Sequence, residues 1–94
     1  MFIVTLKFAD KAKAPQLMEG HNAWIRKGFD DGVFLLVGSL QPNAGGTVLV
    51  HNTTRADLET RVTDDPFVAE GVVSAEIQEI VPSRVDDRLA FLKA

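Results

Sequence analysis

Two histidines, and no cysteine, set the limits on what chemistry this 94-residue chain can do with its own side chains. Without cysteine there is no thiolate nucleophile, no disulfide and no Cys-ligated zinc. His21 is the leading candidate. Met18 and Trp24 lie three residues from it, and Leu17 and Ile25 four, so the imidazole falls inside an apolar helical stripe. An ionisable ring on the core side of a helix has two readings. It is either a histidine bonded to a backbone carbonyl, or a general acid/base at the bottom of a cleft. Asp65 comes next, because Asp65-Pro66 is a good N-cap/N1 pair for a short helical turn. Its carboxylate can also orient and charge His21, and the two roles can coexist because a carboxylate has two oxygens. The spacing alone does not bring the two residues together.

The remaining candidates are positional. Ser39 follows Gly38 at the end of an apolar run and has no nucleophile-elbow pattern around it, so its hydroxyl suits ligand positioning better than attack. Trp24 and Phe67 fit either the core or the walls of an apolar pocket. His51 sits beside Asn52 at the end of a strand and is expected to face solvent. Two histidines without close ligand partners predict no metal site. Gly45-Gly46 reads as a turn, since no helix opens after it to cradle a phosphate. No cofactor is expected.

The elements that must hold these residues follow from periodicity. Phe2 to Phe8 alternates as a strand. Pro15 opens a helix, Gly28 continues its apolar face and lets the backbone approach what lies beneath, and Asp31-Gly32 breaks it. Val33 to Leu40 is a strand apolar on both faces. After a loop around Pro42 and Gly45-Gly46, Thr47 to His51 returns as its hairpin partner. Thr54 can cap a second helix carrying Leu58 and Val62, with Asp57 completing a capping-box-like start. Val72 to Val81 is a fourth strand with one wetter face, and Pro82 stops it. Ser83 opens a C-terminal helix with Val85, Leu89 and Leu92 as its buried stripe.

The predicted order β-α-β-β-α-β is the ferredoxin-like split βαβ arrangement of the α+β class: a four-stranded antiparallel sheet with helices on one face, plus the C-terminal helix. The first three strands carry apolar residues at both parities, so the second face needs a cover. A second copy of the chain is expected there in preference to the C-terminal helix. At this length, residues 1–94 form a single domain. The net charge of −3 and the isoelectric point near 5.2 argue against nucleic acid as a partner. No apolar run approaches the length of a membrane span, and the N-terminal run is too short for a signal peptide, so the expected location is cytoplasmic.

Taken together, His21 followed by Trp24-Ile25, then Gly32 and the strand ending LLVGS, then Gly45-Gly46 before a strand, then DDPF with Gly71 shortly after, resembles the YciI-like (YCII-related) family. The resemblance runs from the first strand to about Val81. It implies a ferredoxin-like domain that pairs into a dimeric α/β barrel, with a histidine and an aspartate, here His21 and Asp65, lining a cleft. The family's second strand commonly ends in Gly-Pro, where this chain has Gly38-Ser39. One branch resembles dehydrochlorinases acting on chlorinated hydroxyquinols, and the fold is similar to that of muconolactone isomerases. The expected function is therefore a small cofactor-independent enzyme. His21 and Asp65 would perform acid/base chemistry, an elimination or isomerisation, on a small cyclic or aromatic metabolite bound by Trp24, Ser39 and Phe67. The rival expectation, from so thin a catalytic inventory, is a ligand-binding or protein-docking module without chemistry.

Overall fold

The computed structural model describes residues 1–93. Strand β1 (Phe2–Phe8) leads through a single 3-10 turn, Lys11–Lys13, into helix α1 (Ala14–Asp30). Pro15 stands in the first turn of α1, where a missing N–H is harmless. Strands β2 (Phe34–Leu40) and β3 (Gly45–Val50) form the hairpin, followed by α2 (Arg55–Thr63), the one-turn helix α3 (Pro66–Ala69) and β4 (Val73–Glu79). The four strands make one antiparallel sheet in the order β2-β3-β1-β4, the ferredoxin-like arrangement expected from the sequence.

Register decides which side chains meet the helices. Phe2, Val4 and Leu6 of β1 pair with Val50, Val48 and Gly46 of β3, and this face is buried. A bulge between Phe34 and Leu36 adds one residue to β2. Phe34 and Val37 therefore point to the same face despite their odd spacing, opposite Val50 and Val48. Trp24, Leu58, Val62, Phe67 and Val72 complete the core above the sheet. Gly28 lies where α1 crosses β2, and a Cβ there would come within 2.2 Å of the Phe34 ring. Only glycine lets the helix sit this low on the strand.

The opposite face carries Ile3, Leu49 and Leu36, with Leu36 48% exposed. The C-terminal helix does not cover it. Residues Asp87–Lys93 form 3-10 turns kinked at Leu89 and bury none of their side chains. The expected buried stripe does not form: Leu89 and Phe91 remain largely exposed. Phe91 instead packs edge-on to the His51 ring at 5.6 Å, which leaves His51 half-buried where solvent was expected. The stripe fails because Val85 lies before the helical turns and the chain kinks at Leu89, so the three side chains never share a helix face.

Candidate functional site

His21 lies midway along α1 and Asp65 at the N-cap of α3. Their juxtaposition depends on how closely these two helices approach. Gly20, the residue before His21, makes the room: a Cβ there would stand 3.0 Å from Pro66 Cγ. With the helices in this position, His21 Nδ1 and Asp65 Oδ1 are 2.8 Å apart. The same Oδ1 accepts the backbone N–H of Phe67 at 3.0 Å, which is the helix cap. Cap and partner thus fall on one oxygen, not on two as the count of carboxylate oxygens suggested. Oδ2 is buried and accepts no hydrogen bond among the described residues. Asp65 as a whole is fully enclosed, and its pair with His21 is the main compensation for that burial.

The geometry fixes the histidine. An ionised carboxylate only accepts, so Nδ1 carries the proton and points it at Asp65. Nε2 is then free on the opposite edge of the ring. His21 lines a cavity of about 300 Å³ between α1 and the sheet, and Asp65 stands behind it. The imidazole is also clamped face to face. The Phe67 ring stacks on it with centroids 4.0 Å apart and planes 4° from parallel. Trp24 lies on it at 5.9 Å and 21°. Trp24 is anchored in turn by its indole N–H, which donates to the Arg61 carbonyl at 2.8 Å. That carbonyl sits in the last turn of α2 and also accepts the Asp64 backbone N–H at 3.1 Å, so the indole takes its second lone pair.

Ser39, Trp24 and Phe67 all line the same cavity. The five residues singled out from the sequence are therefore gathered at one place, Asp65 as the support behind His21. Two further polar lining residues, Asn22 and Thr47, were not singled out, and Gly46, read as a turn, instead lines the cavity from within β3. Asn22 is adjacent to His21 and had no periodic signal of its own. The Thr47 hydroxyl is engaged with the Val4 carbonyl at 3.2 Å. The anchor at Arg61 was also missed, although a buried indole N–H always calls for an acceptor. His51 lies away from this cavity, against Phe91.

No group of three or more candidate metal ligands occurs among the described residues. No helix there is long and apolar enough to cross a membrane. The family model of the YCII-related domain matches residues 1–82. This chain belongs to the YCII-related family. The match ends after β4, so the YCII-related part holds the whole sheet and the cavity, and the C-terminal 3-10 turns lie beyond it. Comparison with curated proteins finds no match for this YCII-related chain.

Proposed function

We propose that this YCII-related protein is a cofactor-independent acid/base enzyme acting on a small cyclic or aromatic metabolite. The observation that carries the proposal is the Nδ1–Oδ1 pair at 2.8 Å with a fully enclosed carboxylate, on a histidine that lines the cavity and whose Nε2 makes no hydrogen bond among the described residues. Nε2 takes a proton from substrate carbon or hydroxyl, and Asp65 holds the resulting imidazolium. In an isomerisation His21 returns the proton at a second position. In an elimination the departing group leaves with the electron pair of the broken bond, and His21 supplies its proton. Ser39 hydrogen-bonds a substrate oxygen, while Trp24 and Phe67 exclude water. Positioned acid/base help of this kind is worth roughly 10²–10⁴-fold in rate.

The test is turnover of phenolic and lactone candidates by the wild type and His21→Ala. Loss of turnover in the variant with the fold intact is expected, and equal rates would remove His21 from the mechanism. A second reading draws on the cavity wall, where His21 is the sole ionisable lining residue. The protein would then be a binding or docking module, and ligands would stabilise it thermally without product formation. In both readings the protein works as a cytoplasmic homodimer. The open sheet face with Ile3, Leu36 and Leu49 and the family resemblance support the pairing.

A further inference from the structure

Glycines 45 and 46 are neighbours at the start of β3, but they answer to different demands. Gly45 has a φ of +135°, and a Cβ there would stand 1.9 Å from the Leu6 carbonyl oxygen. The backbone requires glycine at that position. Gly46 is not among the residues with positive φ, and its added Cβ would meet one atom, the Gly38 carbonyl oxygen, at 3.2 Å. A shift of a few tenths of an ångström would accommodate a methyl group. A glycine inside a strand weakens it, and at 46 it leaves open the space that a methyl group would take.

That space lies on the cavity side. Across the sheet, Ser39, Gly46, Leu6 and Ala75 stand at one level on the face that meets the helices. The next level holds Val37, Val48, Val4 and Ile77, of which Val37 and Val48 also line the cavity. The cavity opens where this packing gives way to glycine and serine, and Gly38, Ser39, Gly45 and Gly46 all line it. Leu6, Val37 and Val48 complete the sheet side of the lining, so the glycines form a gap in an otherwise apolar floor, and the His21 ring is held in a stack with Phe67.

We infer that Gly46 is the specificity-determining residue of this site, its missing side chain making room for a flat ring laid against the strand backbone within reach of His21. The inference rests on the proposed ligand cleft and adds the shape of what it takes: planar, and limited in size at the β2–β3 floor. Gly46→Ala raises that floor by one methyl group. Val37→Ile, on the adjacent strand and on the same cavity-lining face, narrows the floor by one methyl group without touching a glycine or the Ser39 hydroxyl.

Phenol and 2-naphthol serve as small and large planar probes, titrated into the full chain while the His21 ring resonances are followed by NMR. Thermal melting establishes that each variant is folded. The wild type is expected to bind both. Gly46→Ala and Val37→Ile are expected to keep phenol and to lose about tenfold or more in affinity for 2-naphthol, the scale of one methylene in an apolar pocket. Equal losses for both probes, or none for either, in folded variants would overturn the assignment of Gly46. Failure of the wild type to bind either probe would overturn the cleft reading itself. If Gly46→Ala does not fold, Val37→Ile alone decides: selective loss of 2-naphthol supports the size-limiting floor, and unchanged binding of both probes removes it.

Discussion

Replacing Asp65 by asparagine and by alanine separates charge from hydrogen bonding at the centre of the site. Phe67 N–H donates to Oδ1 at 3.0 Å, so an asparagine must place its carbonyl oxygen there and its amide nitrogen at the Oδ2 position. The carbonyl oxygen can still accept from His21 Nδ1, and the tautomer is retained. Only the charge is lost. Two charge-assisted bonds become neutral ones, each about 1 kcal/mol weaker, since bonds to charged groups contribute about 1.5–3 kcal/mol and neutral ones about 0.5–1.5. The amide nitrogen at the Oδ2 position exchanges an unpaired anionic oxygen for N–H donors that meet no acceptor among the described residues, so Asp65→Asn should cost about 2 kcal/mol. Alanine leaves both the Phe67 N–H and the His21 Nδ1–H without an acceptor. At about 1–3 kcal/mol for each orphaned donor, Asp65→Ala should cost about 4 kcal/mol. Urea unfolding at pH 7, read by the fluorescence of Trp24, measures both, because Trp24 is the single tryptophan and is buried. A double-mutant cycle with His21→Ala then isolates the pair. Equal costs for the two Asp65 variants, or a His21–Asp65 coupling within about 0.3 kcal/mol of zero, would refute the reasoning.

Gly28→Ala drives a methyl group into the Phe34 ring and should destabilise the fold by about 1–3 kcal/mol, visible in the same urea titration. At the C-terminal end of α1, the Arg61 side chain bonds Asp31 at 3.0 Å and, with Lys27, holds that carboxyl below the usual 3.8. A depressed folded value stabilises the protein above the unfolded value, and the effect fades as pH falls through the folded one. Arg61→Gln should move the Asp31 carboxyl titration, followed by NMR, up towards 3.8, and an unmoved curve would exclude Arg61 as the cause. Light scattering at micromolar concentration should give twice the 10.3 kDa mass of one chain, and the mass of a single chain would end the dimer proposal.

The sequence carried local instructions well. Pro15, Asp31-Gly32 and Asp65-Pro66 each act within a turn of their own position, and each starts or stops a helix where the pattern said it would. His21 was legible because a polar ring inside an apolar stripe is a mismatch visible along one helix. That Asp65 could orient it was readable from the residue types, but not that the two meet, because contact depends on how α1 and α3 approach and the enabling signal is a single glycine, Gly20. Strand β2 could not be oriented from its sequence. LLV is apolar at every position, and the bulge that sets its parity leaves no mark in such a run. The C-terminal stripe misled for the opposite reason: its spacing was right for an α-helix that does not form.

The bulge also bears on aggregation. Strands β2 and β4 are the two rims of the sheet, and a rim with free N–H and C=O groups can template a strand from another molecule. The β4 rim carries Glu76 and Glu79, whose charges repel a like neighbour. The β2 rim, FLLVGSL, has no charge at all. Its irregularity between Phe34 and Leu36 is what remains to spoil a straight template. Deleting Leu35 would straighten this rim into an uncharged, alternating apolar edge, and it would remove from the folded chain its main protection against growing by strand addition.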